Sequence, residues 1–513
     1  MTRERMRQRI VALLGGAMYA LFVSFGFQAE RFAESRPLWG LLAAGALCLP
    51  ITFLLEKLFR CRCLSGQETE RAFRVGRAFW MITACYVPML LVSFPGAFAY
   101  DVPFQLEQVF SGQYSTHHPL LHTLLMGGCV KLGYALGSIN LGAALYSVVQ
   151  LAGLAGCFAL ACGSIARQCG VRAARRSAVF FALYPLHMMM AVNATKDVLF
   201  SGLFVLTLAF SRELLVLGGS GKLRVELALC GAGMMLLRNN ALYAVVVWLF
   251  ALLVLQRRRA LALCGAAALA VCLCVAASNG MKAATGAVDG DLSEMLSWPI
   301  QQMARVRNLH EDRMTPNEIA AVDELMPRES WRLYDPTISD PVKFEFDTAA
   351  LREDFGKYAR VYLSLGMKCP KAYFDALLMH TYSFWYPYSE YRVSGYYLQM
   401  GVTDQYYEWC DFERISSQSL LPRVLASLTW RFGAKGAMQI PLIGYLFNMG
   451  VIVWAMLFFV LRDAYHGRWE CFVIGLLPVL LWGTFLLGPV MAGRYIYPFV
   501  CCLPVLATRP KDC

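Results

Sequence analysis

The chain has 513 residues, of which 58% are hydrophobic and only 16% are charged. Soluble proteins carry about 25% charged residues, so this composition excludes a cytosolic enzyme, a collagen and a disordered chain, and predicts an all-α polytopic membrane protein. The net charge of +12 does not indicate nucleic-acid binding, because the position of basic residues matters more than their sum in a membrane protein. Most of the 18 cysteines lie in apolar runs, where they behave as small hydrophobic residues.

Twelve apolar stretches approach the length of about 20 residues that a membrane-spanning helix needs. A helix over the whole of 225–255 would be too long for one crossing, and basic residues flank it on both sides. We therefore predict a tight hairpin that turns at Arg238-Asn239-Asn240. The predicted spans are residues 10–27, 38–58, 78–97, 140–162, 177–192, 198–217, 225–237, 240–256, 260–279, 437–461, 471–488 and 495–507.

Lys and Arg residues predict the orientation of these spans. With the N-terminus inside, the cytoplasmic segments hold 23 Lys and Arg residues and the short outer segments hold six. This asymmetry favours a cell-membrane protein with both termini in the cytoplasm. Residues 119–137 are also apolar, but a crossing there would move the basic loop Arg167–Arg176 outside. We therefore interpret 119–137 as a helix at the outer membrane interface.

The pattern divides the chain into four parts. Residues 1–77 are an N-terminal transmembrane hairpin with a basic cytoplasmic loop, and 78–280 are a transmembrane core whose outer loop is 95–139. Residues 281–436, with 17 basic and 21 acidic residues, form an extracytoplasmic, mainly helical domain, and 437–513 are C-terminal transmembrane helices. In the outer domain, a capping box at Thr315-Pro316-Asn317-Glu318 predicts a helix to about Met326, and Pro370 predicts the start of another.

The charged residues of interest lie at the predicted outer ends of spans. Asp101 follows a span at headgroup depth, where it is either a solvated loop acid or a carboxylate placed near lipid phosphates. Lys196 and Asp197 form either a helix-capping and anchoring pair or part of a site. Arg238 occupies the hairpin tip, where a buried charge indicates function. Arg494 opens the last span, and a snorkelling anchor is its alternative interpretation.

Two kinds of site are not favoured by the sequence. His117, His118 and His122 are close together, but His118 and His122 straddle Pro119 and lack an acidic partner at helical spacing, so a polar helix face is favoured over a metal site. The chain has no phosphate-binding P-loop, no dinucleotide glycine motif and no GxSxG elbow. Any chemistry must therefore use a substrate reached from the membrane or from outside.

Several short motifs follow one another from residue 95 onward, and their order is more specific than any one of them. They are Pro95-Gly96 with Asp101, Gln105 and Gln108, His118-Pro119 with Thr123, Thr195-Lys196-Asp197, Leu237-Arg238-Asn239-Asn240, Pro299 to Arg305, Asp340-Pro341-Val342-Lys343, Tyr382 to Pro387, and Gly493-Arg494-Tyr495-Ile496-Tyr497-Pro498. This order resembles the GT-C superfamily of integral-membrane glycosyltransferases, and most closely a bacterial subfamily of it.

The resemblance implies an inverting transferase that moves a sugar from a polyprenyl-phosphate carrier to a glycan or lipid acceptor of the cell envelope on the outer face. Asp101 matches the position of the base that activates the acceptor. The leaving phosphate needs cations close by, for which Lys196, Arg238 and Arg494 are the candidates. Lys196-Asp197 stands where the oligosaccharyltransferase branch carries an acidic pair, so a divalent metal is possible but not indicated, and no other cofactor is expected. The candidate substrate-binding residues are Gln105, His118, Asp197, Gln301, Gln302, Arg305 and Lys343.

Two alternatives stay open on the sequence. The first is a transporter or flippase for lipid-linked sugars, since twelve spans with both termini inside is an ordinary transporter architecture. The large outer domain and the lack of two similar halves count against it. The second is a polysaccharide polymerase or ligase, which would use a lipid-linked glycan as donor.

Overall fold

The structure is a computed structural model, and it describes residues 2–61, 72–98, 101–390, 412, 414–432 and 440–510. Over these ranges the regular structure is helical, with only isolated β-bridges between loops. The prediction of an all-α membrane protein is therefore confirmed. Parts of the predicted basic loop, of the outer loop 95–139 and of the domain 281–436 lie outside the described residues.

The N-terminal hairpin consists of α1 (Arg3–Arg31) and α2 (Pro37–Arg60). The two helices approach closely at Gly16, where a Cβ atom would lie 2.1 Å from Thr52 Oγ1. The other face of α1 packs against the aromatic residues of the run from Tyr382 to Pro387, since Gly26 contacts the Tyr386 ring. The hairpin is thus packed against the rest of the bundle rather than held only by its loops.

The central part of the bundle begins with α3 (Val75–Val92), after which α4 (Asp101–Ser111) and α5 (Leu120–Ala135) precede the long α6 (Ile139–Cys169). Helix α5 packs against α4 and α6. The chain then continues through α7 (Val171–Leu183), α8 (Pro185–Ala191), α9 (Lys196–Leu217), α10 (Gly221–Leu237), α11 (Asn240–Gln256) and α12 (Leu261–Thr285).

Residues that follow α12 form a small helical domain with its own apolar core, which includes Ile300, Val322 and Leu365. The predicted capping box of Thr315 and Glu318 is present and begins its helix. The helices of this domain are α13 (Ser297–Leu309), α14 (Pro316–Leu325), α15 (Arg328–Trp331), α16 (Asp340–Lys343), α17 (Thr348–Glu353), α18 (Phe355–Lys368) and α19 (Pro370–Thr381).

This domain lies on one end of the helix bundle, which we call the domain end. Ser339 N donates to Pro489 O over 2.9 Å, and Trp298 Nε1 donates to Leu486 O over 2.6 Å. On the other side, Thr116 N donates to Val288 O over 2.8 Å. The domain is therefore fixed to the two loops that precede α5 and follow the penultimate helix.

The chain ends with α20 (Arg423–Phe432), α21 (Met449–His466), α22 (Trp469–Leu486) and α23 (Tyr497–Ala507). Helix α20 packs against α3, α21 against α1 and α22, and α22 against α11. Helix α23 packs against α9, which brings the start of the last predicted span beside the start of α9.

Eight helices among the described residues are long and apolar enough to cross a membrane: α1, α2, α3, α6, α9, α12, α21 and α22. Helix α11 and residues Gly493–Ala507 are apolar but shorter. The span predicted at 177–192 is divided into α7 and α8, because Pro185 begins a new helix after Tyr184. The chain breaks at the predicted position, since α10 ends at Leu237 and α11 begins at Asn240.

Reporter fusions test the orientation of these helices. A reporter fused after Arg175 is expected to read cytoplasmic, and one fused after Asp323 is expected to read extracytoplasmic, because basic segments stay inside. Enzymatic reporters that are active on only one side of the membrane give the measurement. Swapped signals would show that 119–137 crosses the membrane and that the helical domain lies inside.

Candidate functional site

Two loops at the domain end meet through a short backbone bridge. Ala97 N donates to Val192 O and Ala194 N donates to Ala97 O, each over 2.9 Å. Gly96 permits this approach, because its φ is +137° and a Cβ atom there would lie 2.3 Å from Ser147 Oγ. The bridge fixes the loop before α4 against the loop before α9, so the first residues of both helices come together.

Asp101 is the first residue of α4, and its carboxylate contacts two cations. Asp101 Oδ2 lies 3.5 Å from Lys196 Nζ, at the start of α9, and 3.3 Å from Arg494 Nη1. The helix dipole of α4 also favours a negative charge at this position. The side chain of Asp101 is 26% exposed and that of Arg494 is 16% exposed, so the cluster is accessible from one side.

A second ion pair lies behind this cluster. Arg238 Nε is 2.7 Å from Asp197 Oδ1, and Asp197 is completely buried. The Arg238 guanidinium lies beside the stacked rings of Phe485 and Tyr495, at 4.6 and 4.5 Å from their centroids. Asp197 Oδ2 is also 3.7 Å from Arg494 Nε. Arg494 thus contacts both the exposed cluster around Asp101 and the buried ion pair of Asp197 and Arg238. The site holds two carboxylates and three cations.

The cations also determine the protonation state of Asp101. Burial by itself raises the pKa of the Asp101 carboxyl, but the positive charges of Arg494 and Lys196 outweigh burial and hold the pKa well below its usual range. Asp101 is therefore ionised at neutral pH. The stability that these contacts contribute is present above the usual carboxyl pKa and is lost as the pH falls through the depressed value.

These charged groups border a cleft at the domain end. Arg238 and Asp197 are not among the described residues that line it, so they contact its wall from behind. His118 is buried near the cluster, and burial, followed by the charge of Lys196, lowers the pKa of His118 well below its usual range. The cleft is lined by Ala97, Asp101, Gln105, His122, Met190, Asn193, Ala194, Thr195, Lys196 and Arg494.

One wall of the cleft belongs to a chain of buried polar side chains. His122 Nδ1 is 3.0 Å from the terminal amide of Gln105, and His122 Nε2 is 2.7 Å from Tyr146 Oη. Tyr146 Oη is 2.9 Å from Gln150 Oε1. Gln150 Nε2 donates to the carbonyls of Ala191 and Asn193 over 3.1 and 2.7 Å. The chain connects α4, α5 and α6 to the loop that leads to Lys196.

The structure does not bring the other predicted substrate-binding residues into this cleft. Gln301 donates to Asp335 O, and Gln302 donates to Tyr373 O. Arg305 is buried inside the domain and donates to Ala33 O. All three contacts lie within the helical domain that follows α12 or between it and the N-terminal hairpin. None of these side chains is among the described residues that line the cleft.

Lys343 is likewise held inside the helical domain that follows α12. Its Nζ lies 2.8 Å from both Glu294 Oε1 and Asp340 Oδ1, and its side chain is 4% exposed. Glu294 also lies 3.8 Å from His117 Nδ1. Lys343 is thus connected to the loop before α5 through a neighbouring acid.

Asp197 differs from a simple capping residue. Thr195 is the N-cap of α9, and its hydroxyl oxygen accepts the backbone N–H of Asp197. The Asp197 carboxylate contacts Arg238 and Arg494, and its Oδ2 also accepts the Thr195 hydroxyl over 3.1 Å. Its burial therefore gives it a larger structural role than the short sequence turn suggests.

Residues Tyr146 and Gln150 were not identified from the sequence, and His122 was interpreted only as part of a polar face. A signal was present, because Tyr146 and Gln150 are polar residues four positions apart in an otherwise apolar stretch, and residues at that spacing share a helix face. Among the described residues, no group of three or more His, Cys, Asp or Glu side chains has the arrangement of a metal site.

Comparison with known proteins identifies a family without an assigned activity. A family described as "Family of unknown function (DUF6020)" matches residues 111–509, which is well over half of the chain, so the chain belongs to this family. The match includes Lys196, Asp197, Arg238 and Arg494 and begins after Asp101 and the N-terminal hairpin. No curated protein and no solved structure matches the chain.

Proposed function

We propose that this protein is a membrane glycosyltransferase that moves a sugar from a polyprenyl-phosphate carrier to a hydroxyl of a cell-envelope glycan or lipid. The observation that carries the proposal is the contact of one accessible carboxylate, Asp101, with two cations, Lys196 and Arg494, in a cleft at helix ends. A transferase of this kind needs a base for the acceptor and positive charge for the leaving phosphate.

The proposed reaction is a single displacement with inversion at the anomeric carbon. The acceptor oxygen forms a bond to that carbon while the bond from the carbon to the phosphate oxygen breaks. Asp101 takes the proton of the acceptor hydroxyl, and polyprenyl phosphate leaves with the bonding electrons. Lys196 and Arg494 contact the phosphate and stabilise its developing negative charge.

The geometry also offers a reason for the low basicity of Asp101 in the absence of substrate. Both cations contact the same oxygen, Oδ2. When a donor phosphate accepts part of their charge, the electrostatic stabilisation of ionised Asp101 decreases and its pKa rises. Asp101 thereby becomes a stronger base when the donor is bound.

The buried ion pair of Asp197 and Arg238 holds Arg494 in this arrangement. Asp197 holds Arg238 and contacts Arg494, so the two buried residues orient the guanidinium that faces the cleft. In this proposal Arg238 stabilises the donor site through its positive charge and through Asp197, and it does not contact the phosphate directly. The fold is proposed to be GT-C-like, with twelve membrane segments and both termini in the cytoplasm.

The decisive experiment offers purified protein radiolabelled polyprenyl-phosphate sugars and envelope acceptors, and measures release of polyprenyl phosphate. Release that depends on acceptor supports the transferase. The same protein in sealed vesicles separates the alternatives. Movement of intact lipid-linked sugar across the bilayer without release would instead identify a flippase. Transfer of a whole glycan rather than one sugar would identify a polymerase or ligase.

Arg494 provides a variant test of phosphate binding. Arg494→Ala is expected to lower donor use, because it removes a cation within 3.3 Å of Asp101 in the cleft. Arg494→Lys is expected to recover only part of the activity, since a guanidinium can hold two phosphate oxygens and an ammonium cannot. Initial rates against donor concentration give the measurement.

Lys131→Ala is a matched control for this test, because Lys131 is an exposed cation of α5 that does not line the cleft. If Arg494→Ala used the donor as well as the wild-type protein does, Arg494 would have only a structural or interfacial role.

A further inference from the structure

In the hydrogen-bond chain that forms one wall of the cleft, the direction of each hydrogen bond is fixed by the groups at its end. Gln105, His122, Tyr146 and Gln150 are each at most 1% exposed, so their orientation is set mainly by hydrogen-bond partners within the protein. A side-chain amide has nearly the same shape when its oxygen and nitrogen are exchanged, and the positions of its hydrogen-bond partners decide which atom lies where. The orientation of every group in the chain can therefore be deduced from its fixed end.

Gln150 is the fixed end. Its amide nitrogen faces two backbone carbonyls, of Ala191 and Asn193. A carbonyl accepts and cannot donate, so the Gln150 atom that faces both must be the NH2 group. Its oxygen then faces Tyr146 Oη at 2.9 Å, and the single proton of the tyrosine hydroxyl must point to Gln150.

The proton of Tyr146 is consequently not available to His122. The 2.7 Å contact between Tyr146 Oη and His122 Nε2 then requires that His122 Nε2 carries the proton and donates it. Burial lowers the pKa of His122 to about 3, so the ring is neutral and carries one proton only. His122 Nδ1 is therefore an acceptor.

An acceptor at His122 Nδ1 requires a donor from Gln105. The terminal amide of Gln105 lies 3.0 Å away, and its other terminal atom is buried in the cleft wall without a hydrogen-bond partner among the described residues. If the NH2 group faces His122, the unpartnered atom is the carbonyl oxygen. We propose that this chain fixes the Gln105 carbonyl as a hydrogen-bond acceptor toward the cleft, and that it binds a hydroxyl of the substrate.

The position of Gln105 indicates the chemical class of that substrate. Gln105 follows Asp101 by four residues on α4, so the two side chains lie on the same helix face, with Cβ atoms about 5–6 Å apart. One carboxylate and one amide carbonyl, both acceptors, suit a ligand that presents two hydroxyl donors on one side. A polyol such as a sugar ring has this property, and a phosphate or carboxylate does not. The conclusion that this polyol is the acceptor substrate of the transferase rests on the proposed function.

In this arrangement His122, Tyr146 and Gln150 are positioning residues that act through Gln105. A substrate hydroxyl that finds an acceptor of fixed orientation is bound, while an analogue without it leaves a buried carbonyl unpaired. The chain therefore discriminates between hydroxylated and deoxygenated substrates. It also links the substrate to the loop that carries Lys196, since Gln150 holds the carbonyl of Asn193.

Nitrogen NMR of the wild-type protein with ¹⁵N-labelled histidine tests the proton direction without any assumption about activity. His122 is expected to be protonated at Nε2 and unprotonated at Nδ1, and the His122→Asn spectrum identifies its signals by their loss. Tyr146→Phe is expected to shift His122 toward the Nδ1–H form, because Gln105 can then offer its oxygen. Tyr134→Phe, an exposed tyrosine of α5, is the matched control and should leave His122 unchanged. An Nδ1–H form in the wild-type protein would overturn the assignment.

Kinetics test the substrate contact. Gln105→Met keeps the length of the side chain but removes its hydrogen-bond acceptor. The KM for the acceptor substrate is expected to rise roughly fivefold to tenfold, the effect of one neutral hydrogen bond, with a smaller change in kcat. The same variant should no longer distinguish an acceptor from its deoxy analogue. An unchanged KM and unchanged discrimination would overturn the contact. If no transfer is detected with any donor, the proposed function fails, while the NMR result still decides the orientation of Gln105.

Discussion

Asp101→Asn is expected to lower turnover by 10²–10⁴-fold, the usual contribution of a general base, while donor binding is largely kept. Asparagine preserves the shape and hydrogen-bonding capacity of the side chain but cannot take the proton of the acceptor hydroxyl. Its neutral amide also leaves Lys196 and Arg494 free to contact the donor phosphate. Single-turnover rates and donor affinity, measured separately, provide the test.

Glu107→Gln is the matched control for this change. Glu107 is another carboxylate of α4, and it does not line the cleft. Its conversion to an amide should leave turnover at the wild-type level. An Asp101→Asn enzyme with normal turnover would remove Asp101 from the role of base, and a loss of activity in both variants would indicate damage to α4 rather than to catalysis.

Isolated charges at the ends of apolar runs were the most informative sequence signal. Asp101, Lys196, Arg238 and Arg494 were selected from the sequence because a charge at the membrane edge is costly unless it is paired or functional. The structure brings these four residues and Asp197 into one cluster. The sequence did not predict their pairing, because it depends on a backbone bridge between Ala97 and Asn193 that no local pattern indicates.

Residues of the helical domain that follows α12 are harder to interpret from the sequence. Arg305 and Lys343 are charged residues in a hydrophilic segment, where the sequence cannot distinguish a binding surface from an internal ion pair. The structure buries both and gives them partners within the protein. Polar residues inside apolar helices, such as Tyr146, present the opposite difficulty, because their function depends on side chains from other helices.

Asp197→Asn is expected to destabilise the protein by about 3–5 kcal/mol, because it leaves the buried Arg238 without its counterion. A helix-capping role alone would predict a loss of only about 1 kcal/mol. The larger value follows from the complete burial of Asp197 and the 2.7 Å contact with Arg238 Nε. Thermal or denaturant unfolding of the purified protein in detergent measures the difference.

Two further variants separate the ion pair from the cap. Thr195→Ala removes the N-cap hydroxyl of α9 and its hydrogen bond to Asp197 Oδ2 but no charge, so it should cost about 1–2 kcal/mol, less than the loss of the counterion of Arg238. Adding Arg238→Met to Asp197→Asn removes the uncompensated guanidinium, and the neighbouring rings of Phe485 and Tyr495 can pack against the methionine. The double variant should therefore be more stable than Asp197→Asn alone, since most of the loss arises from the buried unpaired charge. If Asp197→Asn lost no more stability than Thr195→Ala, Asp197 would be only a residue of the helix start, and the orientation of Arg494 would have to come from its contact with Asp101.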